Sequence, residues 1–107
     1  MNTSQNKFDS IEALIFKQGL KIKDVSFNTT RSKMLVHLTN EVTLVVPTKL
    51  YARLKNAPAK KILNFRLSAN GSGIHWPDLD EDLSLKGFFN DFLKQSLREG
   101  KELVIAA

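Results

Sequence analysis

The sequence predicts an α+β fold: a mostly antiparallel sheet of about five strands, with an N-terminal helix, a short middle helix and a C-terminal amphipathic helix packed on the sheet. Three observations carry that prediction. Met34, Val36 and Leu38 alternate with more polar neighbours, and after Thr39-Asn40-Glu41 so do Val42, Leu44 and Val46; two strands joined so tightly must pair as an antiparallel hairpin. Leu85, Phe88, Phe89, Phe92, Leu93 and Leu97 recur at helical spacing, the stripe of a helix with one buried face. The apolar sides of the strands need that cover, because a bare sheet face of their size exceeds what soluble monomers expose.

Taken in order, residues 1–7 read as a frayed polar end. Asp9 or Ser10 can cap a helix running from about Asp9 to Gln18, with Phe8, Ile11, Leu14 and Ile15 at helical spacing and Gly19 as its left-handed terminator. From Leu20 the pattern becomes strand-like, but Ile22 is out of phase with Val25 and Phe27, which predicts a bulge near Lys23 or Asp24. Asn28-Thr29-Thr30-Arg31 is a turn. After the hairpin, Pro47 has no amide hydrogen for the ladder and Thr48 is a good cap, so a short helix should begin there. On it Leu50, Leu54 and Ala57 would face inward, and Lys49 and Arg53 would share the outer face. Pro58 stops that helix or begins another turn. Leu63, Phe65 and Leu67 alternate as a fourth strand, Asn70-Gly71-Ser72-Gly73 turns the chain, and Ile74 and Trp76 fit a short fifth strand. Gly100 ends the last helix, and the apolar tail Leu103–Ala107 suits either a docked strand or an interface segment.

Composition narrows the function. At 107 residues one domain spanning 1–107 is expected, and 42% hydrophobic residues with scarce Pro and Gly exclude a disordered chain. The absence of cysteine removes disulfides, thiolate nucleophiles and thiolate metal sites. No apolar run approaches the roughly 18 residues of a membrane span, and the polar first residues lack the apolar core of a signal peptide. A cytoplasmic protein with no membrane association is expected. The charge is unevenly spread: residues 1–70 carry 12 Lys/Arg against 4 Asp/Glu, residues 71–107 carry 4 against 7. Between Val42 and Pro77 there are six basic residues and no acidic one. Such a field attracts phosphate, an acidic partner or the acidic end of a second copy of the chain.

The run Gly73-Ile-His-Trp-Pro-Asp-Leu-Asp-Glu-Asp-Leu-Ser84 holds the only Trp, one of two His and four of eleven acidic residues. Asp78, Asp80 and Asp82 have the alternate spacing of a calcium loop, but the positions that need Gly and a bidentate Glu are Leu83 and Phe89. Carboxylates capping the first turn of the following helix are the plainer account. His75 with Asp78 or Asp80 could form an acid/base pair, yet no nucleophile motif or phosphate loop completes a site. Alternation places His75 opposite Ile74 and Trp76, and Trp76 reads as core with its indole hydrogen on a carbonyl.

From Ala57-Pro58 through Asn64, and above all in this Trp-Pro-Asp-Leu-Asp-Glu-Asp-Leu-Ser run, the chain resembles the domain of unknown function 2442 family, over about residues 20–90. The family's small bacterial members end in a similar run, and the hairpin closing on Val45-Val46-Pro47 matches their layout. Three features depart from that pattern: an extra helix before Leu20, a continuation past Phe89, and Lys60-Lys61 where relatives often carry Gln-Arg. The resemblance offers no catalytic residue to carry over, the residues themselves lead to the expectation of no metal or cofactor, and the resemblance implies a neighbouring gene of the domain of unknown function 4160 family, as in a toxin-antitoxin-like pair. The leading expectation is therefore a non-enzymatic binding or regulatory module that docks a protein partner, the product of an adjacent gene, with homo-oligomerisation as another use of the same charges. The alternative is a nucleic-acid binder using the basic 49–66 stretch; a hydrolase around His75 is a distant third. The candidate interaction surface comprises Lys49, Arg53, Lys60, Lys61, Arg66, His75, Asp78 and Asp80.

Overall fold

The computed structural model describes residues 13–99 and 105–106. Three strands, β1 (Ile22–Phe27), β2 (Lys33–Leu38) and β3 (Thr43–Pro47), form an antiparallel meander in chain order. The β1–β2 register slips between Ile22 and Asp24, so Lys23 is the extra residue of the expected bulge. That slip reconciles the phase of Ile22 with Val25: both are buried, with two exposed residues between them. Leu38 N–H donates to the Val42 carbonyl at 2.8 Å just beyond the end of the ladder, which leaves Thr39–Glu41 as a three-residue loop between β2 and β3. Glu41 N–H donates to the Leu38 carbonyl at 3.2 Å, and Glu41 adopts a left-handed φ of 71°, the turn-plus-bulge geometry that such loops favour. Met34, Val36, Leu38, Leu44 and Val46 point inward and are almost wholly buried.

The chain then leaves the sheet through a 3₁₀ turn (Thr48–Leu50), a run of turns and a one-turn helix α1 (Ala59–Ile62), which Pro58 precedes. A second antiparallel meander follows: β4 (Arg66–Ser68), β5 (Gly73–Trp76) and β6 (Glu81–Ser84). The long helix α2 (Leu85–Glu99) comes next, and a two-residue strand β7 (Ile105–Ala106) pairs antiparallel with β3 at Thr43 and Leu44. Of the tail, Ile105 and Ala106 thus dock as a strand.

The strands therefore make two sheets, β1-β2-β3-β7 and β4-β5-β6, and not one sheet of five. The physical reason is that β4 is only three residues long, is separated from the end of β3 at Pro47 by eighteen residues, and finds its ladder partner in β5. What joins the sheets is side chains. Phe27 on β1 packs edge-on to Phe65 at 6.0 Å between centroids, and Phe65 lies 6.2 Å from Trp76 on β5. Trp76 is fully buried and donates its indole N–H to the Ile62 carbonyl at 2.8 Å, as its setting in the sequence predicts. Leu85, Phe88 and Phe92 from α2 enter the same core as Val36, Leu44 and Ile74. Fully burying such side chains contributes about 1.5–3 kcal/mol each.

Three further expectations are corrected. Of the N-terminal helix, the described residues show one π-helical turn, Ala13–Lys17, closed by Gly19 at φ 69°; the proposed caps Asp9 and Ser10 lie outside them. The middle helix is not continuous, because Tyr51 is extended (φ −120°, ψ 115°) and interrupts it, leaving Leu50 exposed and Leu54 buried. Thr48 caps nothing there; its hydroxyl donates to the carbonyls of Arg31 and Ser32 at 2.9 and 3.1 Å. Finally, Leu63 is not a strand residue: it follows α1 and stands 52% exposed.

Candidate functional site

The β5–β6 hairpin positions the acidic run. Trp76 pairs with Glu81, so Pro77-Asp78-Leu79-Asp80 forms a four-residue loop, with Leu79 N–H on the Trp76 carbonyl and Asp80 left-handed at φ 49°. Three aspartates two residues apart thus leave the chain in different settings. Asp78 Oδ2 accepts from Asn64 Nδ2 at 2.8 Å, Asp80 meets Arg53, and Asp82 Oδ1 sits 2.8 Å from His75 Nδ1. Among the described residues no three His, Asp or Glu side chains converge as a metal-binding set.

Asp82 does not cap α2, because residues Glu81–Ser84 are a strand and Asp82 lies directly across the ladder from His75. The cap is Ser84, whose Oγ accepts the Gly87 N–H at 3.0 Å, the third residue of the helix and so one of its orphan donors. Ladder pairing also sets Arg66 opposite His75. Arg66, His75 and Asp82 therefore form one cross-strand row of polar side chains on the face away from Ile74 and Trp76. Such rows are worth about 0.2–1 kcal/mol per pair.

Arg53 ties the turn region to the hairpin: its Nη1 donates to the Asp80 carbonyl and lies 3.8 Å from the Asp80 carboxylate. The other cations of the predicted surface are differently placed. Lys49 follows β3, Lys60 and Lys61 lie on α1, and all three are exposed, as is Arg66. Of the cations on this surface, Arg53 alone faces a carboxylate within ion-pair distance among the described residues, that of Asp80. Leu50, Leu63 and Leu67, 39, 52 and 37% exposed, are interspersed along this stretch.

Two arrangements have no counterpart in the sequence reading. On the first sheet His37 bridges its neighbours, with Ser26 Oγ 3.0 Å from Nε2 and Thr43 Oγ1 2.9 Å from Nδ1. This is a satisfied imidazole held by two hydroxyls on the two neighbouring strands. The second is a cavity of about 290 Å³ between the 28–33 turn and the 48–57 turns. Leu54 and Ile62 are buried at its floor, while Arg31, Lys49, Lys55 and Asn56 line it. Lys33 pairs with Pro47 across the β2–β3 ladder, and Thr48 N–H continues that pairing onto the Ser32 carbonyl. This register brings Arg31 to residues 18 and more positions later, so local sequence carries no signal of it.

Tyr51 closes the other side of the turn region. Its hydroxyl donates to Asp91 Oδ2 at 2.8 Å and its ring packs edge-on to Phe88. Burial, then the hydrogen bond and charge of Asp91, then the charge of Glu81 push the phenol above its ordinary range. Among the described residues no helix is long and apolar enough to cross a membrane.

Solved structures share the fold. A protein of unknown function from Rhodospirillum rubrum is 26% identical, with 67% of this chain and 87% of that one aligned and a TM-score of 0.61. An uncharacterized protein from Chromobacterium violaceum, solved by NMR, is 18% identical over 92% of this chain and 93% of that one, with a TM-score of 0.63. No curated protein matches the chain. The family model for a protein of unknown function (DUF2442) matches residues 22–92, which takes in everything from the β1 bulge to Phe92 of α2 and closes the question of kinship: this chain belongs to the DUF2442 family.

Proposed function

We propose that the chain is a non-catalytic binding module that docks an acidic protein partner, as the antitoxin-like half of a two-gene pair. The observation that supports this best is the surface between residues 49 and 66, where exposed Leu50 and Leu63, with Leu67 just beyond, are interleaved with five cations that have no acid partner among the described residues. Apolar anchors within a charged rim are the composition of a protein interface, where the anchors supply affinity and the charges supply rate and orientation. The acids of the hairpin are held by Asn64, Arg53 and His75. They therefore serve the internal architecture better than they serve chemistry on a substrate.

The partner to test first is the product of the adjacent gene. Leu63→Asp with Leu67→Asp should abolish binding while leaving the fold intact, since both side chains are already exposed. Lys60→Gln with Lys61→Gln should mainly slow association. The nucleic-acid reading rests on the same unneutralised cations. It becomes the better one if single- or double-stranded nucleic acid binds tightly at about 200 mM salt, where phosphate contacts have lost most of their affinity, and if Lys49→Glu with Arg53→Glu removes that binding.

A further inference from the structure

The cavity between the two turn regions concentrates one sign of charge. Arg31, Lys49 and Lys55 line it with Thr30, Ser32 and Asn56, and none of its lining residues is acidic. None of the three cations makes an ion pair among the described residues. Three positive groups around one small volume repel each other, and a cleft lined by one sign focuses its field on whatever enters. Arg31 is the most constrained of them. Its backbone is left-handed at φ 59°, and its Nη1 donates to the Thr29 carbonyl at 3.1 Å, which leaves four of its five N–H groups for a ligand.

Hydroxyl bookkeeping adds a neutral donor. Asn28 Oδ1 accepts the Lys33 N–H, which fixes its amide so that Nδ2 donates to Ser32 Oγ at 2.9 Å. Ser32 and Thr30 share one hydrogen bond at 3.0 Å. Whichever of the two donates, one hydroxyl proton is left over at the cavity wall. Thr48 is not that donor, since its proton is committed to the Arg31 and Ser32 carbonyls.

We infer that this cavity is a binding site for a phosphomonoester dianion. A guanidinium fork, two ammonium groups and a hydroxyl donor suit a tetrahedral oxyanion that carries close to two charges at neutral pH. The volume of about 290 Å³ lies at the small end of ligand sites, enough for the phosphate and a short attached group lying on Leu54 and Ile62. The cavity shares Lys49 and Lys55 with the docking surface proposed above, but Leu50, Leu63 and Leu67 lie outside it, and phosphate binding here does not depend on that reading.

The test is an amide-shift titration of the full ¹⁵N-labelled chain with inorganic phosphate at constant ionic strength set by chloride. Saturable shifts should cluster at Arg31, Lys49, Lys55 and Asn56. Lys49→Gln with Lys55→Gln, both exposed and so without consequence for the fold, should weaken binding by about tenfold or more. Lys60→Gln with Lys61→Gln, the same change in net charge outside the cavity, should leave it unaltered. Equal losses in the two pairs, shifts spread over the basic surface, or no saturation would each overturn the inference. Dimethyl phosphate, a singly charged diester like a nucleic-acid backbone, should bind much more weakly than methyl phosphate; equal binding of the two also overturns it. Glycerol phosphate against a short phosphoserine peptide then identifies the source, and a preference for either supports the site.

Discussion

At the scale of single residues, the acidic run before α2 shows how one side chain can be read two ways. A carboxylate three residues before a helix is a natural candidate for the first-turn dipole, yet the ladder commits Asp82 to His75 and leaves the capping to Ser84. The two roles differ in energy. Ser84→Ala should destabilise the fold by about 0.5–2 kcal/mol, the range for a lost cap, whereas Asp82→Ala should cost less than about 1 kcal/mol, as for an exposed cross-strand pair. Urea denaturation of the two variants decides this, and a larger loss for Asp82→Ala would contradict the assignment. Tyr51 provides a second residue-level test because it is the only tyrosine. Its folded pKa is raised, so the folded state holds the phenol proton that an unfolded chain releases near pH about 10. The corresponding stability is complete below that pH and declines as pH rises beyond it. Phenolate absorbance should therefore appear together with unfolding, and Tyr51→Phe should lessen the alkaline loss of stability. A simple titration near pH 10 in the folded chain would show that the ring is not held as described.

At the scale of elements, the sequence was most informative where a pattern is local. The 34–46 hairpin, the bulge at Lys23, the left-handed Gly19 and the stripe of α2 follow from alternation, phase and turn chemistry over a few residues. Trp76 also obeyed a local rule, being buried with its indole hydrogen on a carbonyl. What escaped was non-local. Strand β6 reads Glu-Asp-Leu-Ser, with no β-branched residue to announce it, and exists because the Pro77–Asp80 loop returns it to β5. The partition into two sheets, the exposure of Leu63 and the cavity at Arg31 all depend on which strands find each other. Strand β5 itself carries a packing constraint that can be measured. A Cβ at Gly73 would lie 2.8 Å from Ser68 Oγ and 3.3 Å from the Leu83 carbonyl oxygen, the neighbours on β4 and β6. Gly73→Ala should cost about 1–3 kcal/mol as an overpacked site, and Ser68→Gly in the same chain should recover part of it. An additive double variant would show that the ladder has room at Gly73.

At the scale of the whole molecule, architecture and charge point the same way. Two small sheets and one helix share a core assembled from Val36, Leu44, Ile74, Trp76 and Phe88, so the stable part of the protein lies behind the strands. The 48–66 segment, which carries much of the chain's positive charge, is wrapped on the outside as turns and one short helix. It is fastened by a few polar links: Thr48 to the 28–33 turn, Tyr51 to Asp91 and Arg53 to Asp80. Loops positioned by a rigid scaffold are where binding residues concentrate, and here the segment brings cations and exposed leucines to one stretch of surface. The most direct measurement of the docking account is the affinity for the adjacent gene's product as a function of salt, beside that for duplex nucleic acid. Phosphate neutralisation gives a log–log slope of about −0.9 for each contact on duplex, while apolar anchors are insensitive to screening. The account predicts protein binding that weakens only modestly between about 50 and 200 mM salt, through slower association, and nucleic-acid binding that collapses over the same range. Nucleic-acid binding that persists at the higher salt while the protein partner is released would contradict it.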